Sequence, residues 1–198
     1  AEIFHRKTYN LIERIQSVYS QDEQVMLQTF ENVGNDFSTG TELMFNTRPW
    51  EWYETSITGN LYHYRVKGNF NDKDFDKSSF TYSFRWSQTY KITNTTQLQL
   101  NFSYDGPEVE AQEVEEPSYE IDAAVKQSFF NKNLELTLQV RDVFSTDKHE
   151  EYVEEDDFYR YGLYSHKSPV VILNLSYKFN DYKKSGIFSS DGDVSGFD

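Results

Sequence analysis

From Ser79 to Ile92 the chain alternates strictly between two kinds of side chain. Phe80, Tyr82, Phe84, Trp86, Gln88, Tyr90 and Ile92 occupy the even positions; Ser79, Thr81, Ser83, Arg85, Ser87, Thr89 and Lys91 occupy the odd ones. Successive side chains of a strand point to opposite faces, so this period of two predicts a two-faced β-strand. The pattern recurs with Leu98, Leu100, Phe102 and Tyr104 against Gln97, Gln99, Asn101, Ser103 and Asp105. It recurs again with Leu134, Leu136, Leu138 and Val140 against Glu135, Thr137, Gln139 and Arg141. A fourth case sets Val171, Leu173, Leu175, Tyr177 and Phe179 against Val170, Ile172, Asn174, Ser176 and Lys178. Weaker strands are expected at roughly 2–16, 25–47, 52–69 and 118–130, for about eight antiparallel strands in all. Only 10–20, with Leu11, Ile12 and Ile15, offers a competing helical turn or two.

The links between these strands alternate in length. Short, turn-rich ones fall at 47–50, 93–96 and 131–133, and long polar ones near 17–24, 69–78, 105–117 and 146–157. Outer-membrane barrels have short periplasmic turns and long extracellular loops, an alternation that soluble sandwiches lack. Aromatic residues gather beside the short turns: Trp50, Trp52 and Tyr53 at the first, Tyr90 at the second, Phe129 and Phe130 at the third. Such clustering predicts a membrane-interface girdle. Lipid would cover the apolar faces, and closure would pair every backbone group. The expected fold is all-β: an antiparallel transmembrane β-barrel segment over residues 1–180, followed by a flexible periplasmic tail at 181–198. The expected location is the outer membrane of a Gram-negative bacterium.

Composition narrows the function. Against 19 basic residues stand 33 acidic ones, a net charge of −14, which argues against nucleic acid as a partner. An aromatic content of 17% argues against disorder. Cysteine is absent, so disulfides, thiolate metal sites and a cysteine nucleophile are excluded. No apolar run is long enough for a transmembrane helix, which a barrel does not need. The first residues, Ala1 to Lys7, show no signal peptide and read as a start that either follows a cleavage or lies partway along a longer chain.

No zinc-binding histidine pair, nucleophile elbow or phosphate loop occurs, and no enzyme is expected. Glu120 and Asp122 share a strand face and read as lumen lining rather than as an acid–base pair. The inward candidates are Arg85, Gln97, Gln99, Asn101, Glu135, Gln139 and Arg141. They suit contacts with a plug or passing solute, or a hydrogen-bonded lattice that stiffens the wall. The acidic segments 108–116 and 147–157 are expected in extracellular loops, mainly as solvated, self-repelling chain. Ca²⁺ there is the sharper alternative. Asp72, Asp74 and Asp76, and Asp191-Gly-Asp193, each match only part of a Ca²⁺ loop. No cofactor is expected.

Ser168-Pro-Val-Val-Ile-Leu-Asn-Leu-Ser-Tyr-Lys-Phe-Asn-Asp-Tyr182 resembles the closing strand of the outer membrane protein β-barrel family, whose members are similar to TonB-dependent receptors. Leu136-Thr-Leu-Gln-Val-Arg-Asp-Val-Phe144 resembles its penultimate strand. Phe4-His-Arg-Lys7, and Phe30-Glu-Asn-Val-Gly34 followed by Gly40-Thr-Glu-Leu43, resemble earlier elements in the same order. The resemblance implies the C-terminal part of a barrel of about 22 strands, with a plug and energy coupling upstream or in partner chains. It also implies uptake of a bulky solute, and an assembly-signal role for Phe179 as the terminal-strand aromatic. Two rival readings stand beside it: a barrel that anchors a surface complex without transport, and a soluble carbohydrate-binding β-sandwich. Strand 1 alternates poorly, with Ile3, Phe4 and Ile12 on both faces, so clean closure onto the last strand is not expected.

Overall fold

The computed structural model describes residues 1–20, 22, 25–70 and 73–179, with only the backbone of Phe70. The tail at 181–198, with Asp191 and Asp193, lies outside the described residues, as does Asp72. Every regular element described is a strand. They run β1 (Glu2–Ser20), β2 (Val25–Trp50), β3 (Tyr53–Phe70), β4 (Lys73–Lys91), β5 (Thr96–Asp105), β6 (Glu108–Val109), β7 (Glu113–Glu115), β8 (Ser118–Phe129), β9 (Leu134–Arg141), β10 (Lys148–Glu154), β11 (Tyr159–Ser165) and β12 (Val170–Tyr177).

Eight of these form one antiparallel meander, in the order β1-β2-β3-β4-β5-β8-β9-β12. The short links join β2 to β3, β4 to β5 and β8 to β9, so all three lie at one end of the sheet. At the link after β4, the Thr93 hydroxyl accepts from the backbone N–H groups of Thr95 and Thr96. Phe130, Asn131 and Lys132 take positive φ to reverse the chain after β8. At the opposite end the chain leaves the sheet twice, between β5 and β8 and between β9 and β12. These two excursions pair with each other in a second sheet, ordered β11-β10-β7-β6.

Several expectations change. The segment 10–20 is strand, not helix. Within the expected long links at 17–24 and 69–78, residues 17–20, 69–70 and 73–78 are strand, because β1–β4 run on as long strands. The links expected as loops at 105–117 and 146–157 carry β6, β7 and β10, and β11 follows just beyond the second. The first short link also moves: β2 runs on through Trp50, with a register shift between Thr47 and Trp50.

The poor alternation of β1 has a local cause. Asn10 sits at φ 54, and the β1–β2 register is irregular between Tyr9 and Ile12. A bulge of this kind moves the following residues to the other face. Beyond it Ile15 and Val33 are buried while Ile12 and Phe30 are exposed. Ile15 and Val33 pack with Ala111, and Leu11 and Phe75 close around them. Thus the first excursion is seated on the polar side of the long hairpins by a small apolar core. Gln112 reinforces the seat, its carboxamide accepting from Gln16 N at 2.8 Å and donating to Gln16 O at 3.0 Å.

Candidate functional site

Directly opposed residues of neighbouring strands share a face, so the register settles which side chains the sheet collects together. Phe80, Tyr82, Phe84 and Trp86 lie opposite His63, Leu61, Gly59 and Ile57 of β3. Trp86, Phe84 and Tyr90 continue on to Phe102, Tyr104 and Leu98 of β5, and Leu98 to Val125 of β8. Leu138 then links Val125 to Leu173. This apolar face is open: Phe80, Leu138, Leu173 and Leu175 are all exposed.

All seven inward candidates occupy the other face. Arg85 faces Ser103 and lies 3.6 Å from Asp105. Gln97 sits between Lys91 and Lys126, Gln99 between Thr89 and Ala124, and Asn101 between Ser87 and Asp122. Gln99 Nε2 donates to Asn101 Oδ1 at 3.2 Å. Glu135 faces Ser128 and Ser176, and takes Lys126 as its ion-pair partner at 3.1 Å. Gln139 lies between Ala124 and Ile172, and Arg141 opposite Val170. The seven therefore share a face, but they spread along β4, β5 and β9 rather than converging on one point.

A concavity lies elsewhere on that polar face. Glu2, Glu42, Asn60, Ser83, Asp105 and Ser118 form one unbroken row of paired positions across β1, β2, β3, β4, β5 and β8. This row is the floor of a cavity of about 690 Å³, roofed by Glu108, Glu115, Glu116 and His149 from the excursions. Among the described residues, Arg6 and His149 are its only basic side chains, against six carboxylates, so its lining is acidic. Burial holds the Glu108 carboxyl above the usual range, with the charges of Glu115 and Asp105 adding to the effect. Such a chamber favours solutes rich in hydrogen-bond donors or positive charge and repels anions. Sequence pattern missed it because its residues become neighbours only through register; the signal available was the acidic stretch at 108–116.

The excursion sheet is held by its own polar centre. Arg160 on β11 reaches Glu151 on β10 at 2.6 Å and Glu113 on β7 at 2.9 Å. Tyr164 donates to Glu151 at 3.2 Å. Arg160 and its partners hold the Glu151 carboxyl below the usual range against the opposing effect of burial. Glu113 moves the other way, because burial and the nearby Glu151 carboxylate outweigh its contact with Arg160. Val153 is fully buried beneath this centre. The signal for these strands was the alternation of Tyr159, Tyr161 and Leu163 beside the acidic run.

The acidic residues expected as Ca²⁺ candidates are divided between the two faces of that sheet. Among the described residues, no group of three or more His, Cys, Asp or Glu side chains could hold a metal ion. Asp74 instead accepts from Asn69 at 2.9 Å and Asp76 from Arg65 at 2.6 Å, across the β3–β4 pair. At the short-link end, Trp50 stacks on Trp52 with centroids 5.4 Å apart and planes 9° apart. Trp52 lies 5.8 Å from Tyr53 and 6.4 Å from Tyr90. Phe129 ends β8 at the same end of the sheet but stands outside this ladder. Phe179, just past β12, is almost wholly exposed and meets Tyr177 edge-on at 4.7 Å.

Comparison with known proteins gives one match. The model of the outer membrane protein beta-barrel family covers residues 1–177, from the start of β1 to the end of β12. No curated protein and no solved structure matches the chain. A two-faced antiparallel meander with short links at one end and longer excursions at the other is the form expected of an outer-membrane barrel wall. The chain belongs to the outer membrane protein beta-barrel family, and its place is the outer membrane.

Proposed function

We propose that the chain is the wall and outer gate of a barrel that imports a bulky solute, in the manner of a TonB-dependent receptor. The observation that carries this reading is the acidic chamber of about 690 Å³ between the polar face and the paired excursions. A barrel that served only as an anchor would not need a roofed, charged chamber at its mouth. In this reading the apolar face meets outer-membrane lipid, and the polar face turns to the lumen. Arg85, Gln97, Gln99, Asn101, Glu135, Gln139 and Arg141 then line the path below the chamber. Further strands and a plug, of the same polypeptide or of partner chains, complete a barrel of about 22 strands. Capture at the chamber precedes displacement of the plug by an energised periplasmic partner. The role is one of binding and passage, with no chemical step, and Phe179 serves assembly of the barrel.

The test is uptake by cells carrying the intact polypeptide, compared with cells whose copy lacks the excursion 142–169. Labelled oligosaccharides, basic oligopeptides and cationic metal chelates are supplied with and without proton-motive force. Energy-dependent accumulation of one class, lost with the excursion, supports import. Accumulation of none of them, with the barrel still assembled, removes the import reading and leaves an anchor.

A further inference from the structure

We propose that the free edge of β11 receives an extended, basic polypeptide segment of a partner protein by strand addition. Among the described residues β11 pairs with β10 alone, so its other edge presents unused backbone donors and acceptors over seven residues. Such an edge is a template for another strand, and proteins blunt it with lysine, proline or a bulge where pairing is unwanted. β11 has none of these. Its register with β10 is unbroken, and its one charge, Arg160, is tied to Glu113 and Glu151 on the sheet's other face. On one face the strand shows solvent Tyr159, Tyr161 and Leu163, at 65%, 51% and 51% exposure, and on the other Tyr164, beside Glu151.

The surroundings specify the charge of the occupant. Tyr152 lies opposite both Tyr161 and Val114, and Val114 opposite Val109, so one row of apolar positions crosses all four strands. Beside it Glu116, Glu150 and Glu154 join Tyr152, Tyr159 and Tyr161 around a groove of about 540 Å³ that no basic residue lines. Tyr161 donates to Glu150 at 2.7 Å, which fixes its ring at the edge. Glu155, Asp156 and Asp157 follow in the β10–β11 turn. A strand added to β11 would place alternate side chains over the tyrosine rings. Arginine or lysine there gains both the ring faces and the carboxylates beyond them, while acidic side chains meet only repulsion. Main-chain pairing supplies affinity and the alternate side chains supply selectivity.

This surface is independent of the import reading and rests only on the excursion sheet standing outside the membrane. The test uses the intact protein in detergent micelles and a short fluorescent peptide of alternating Arg and Val, followed by anisotropy. Saturable binding is expected that weakens with salt and falls at least about tenfold with Y161K or with N-methylation of alternate peptide amides. The double variant E150Q/E154Q, which leaves the β11 backbone edge untouched and keeps an amide oxygen at 150 to accept from Tyr161, should weaken binding several-fold and flatten the salt dependence. An alternating Glu and Val peptide should not bind. Equal binding of the acidic and basic peptides would overturn the proposal, as would indifference to N-methylation. So would full exchange protection of the 159–165 amides before peptide is added, since another part of the protein would then cover the edge.

Discussion

Arg160 donates to Glu151 at 2.6 Å across the β10–β11 pair, and its second terminal nitrogen reaches Glu113 on β7 at 2.9 Å. Those carboxylates come from different excursions, so one guanidinium joins chain segments that leave the main sheet at separate places. Both carboxylates are largely buried, and a buried charge that loses its partner is costly. Arg160→Leu should therefore destabilise the excursion sheet by about 2–3 kcal/mol, because two carboxylates are left facing each other. Hydrogen exchange should speed up over 108–116 and 148–165 and stay unchanged in β4, β5 and β9. Loss of protection throughout the barrel would mean that the excursions are not a separate cooperative unit.

The same centre gives the excursion sheet a pH dependence. Glu113 titrates higher in the folded sheet than in an unfolded chain, through burial and the neighbouring Glu151. The folded state then holds more protons than the unfolded one between about pH 4.5 and the raised value, so the contribution of Glu113 is fully present in acid and is lost as pH rises. Excursion protection, corrected for intrinsic exchange rates, should fall as pH climbs from about 5 to 8. Glu113→Gln carries the uncharged form at every pH and should reduce that slope, leaving the share of Glu110 and Glu108, whose carboxyls burial also holds above the usual range. A slope left unchanged by the substitution would assign it wholly to other groups.

Trp50, Trp52, Tyr53 and Tyr90 form a continuous ring ladder at the short-link end. Aromatic rings at a membrane interface anchor a barrel there. Trp50→Asp removes an anchor and adds a charge, and should cost about 1–2 kcal/mol of folding in lipid, read as a several-fold lower folded yield in vesicles. Trp50→Tyr should restore most of the yield. An unchanged yield for the aspartate variant would place this end away from the interface.

Gly34 lies at φ 134, with its Cα so close to β3 that an added Cβ would sit 2.3 Å from Lys67 O and 2.6 Å from Gly68 Cα. Both the dihedral and the approach require glycine. Gly34→Ala should cost about 3 kcal/mol by straining the backbone or parting β2 from β3. Urea unfolding in lipid vesicles would register it as a lower midpoint, and an unshifted midpoint would mean that β2 and β3 are not packed this closely.

How much of this was legible depends on whether the relevant signal is local. The faces of β4, β5 and β9 follow from period two alone, whereas β12 opens on the apolar run Val170 to Leu173 and shows its two faces only through the later residues Asn174 and Ser176. β1 resisted the same treatment because the bulge at Asn10 switches its faces midway, and a uniform period cannot describe a strand that changes sides. β7 and β10 were hidden in acidic runs, where Val114, Tyr152 and Val153 are few among carboxylates whose repulsion is relieved by Arg160. The chamber is less legible still. Glu2, Glu42, Asn60, Ser83, Asp105 and Ser118 are scattered along the chain and meet only through five successive strand registers. The seven inward candidates share a face, as period two implies, yet nothing in a local pattern could show that the chamber lies beyond them.

The central claim is that the open apolar face meets lipid and the polar face meets water. Leu173 and Asn174 are adjacent on β12, opposite Leu138 and Thr137 of β9, and so sample the two faces at one depth. The direct measurement is the accessibility of spin labels at Leu173→Cys and Asn174→Cys in outer-membrane vesicles, using oxygen as the lipid-soluble relaxant and a nickel chelate as the aqueous one. Oxygen should dominate at 173 and the nickel chelate at 174. Equal exposure of both labels to the aqueous relaxant, or the reverse order, would contradict the account.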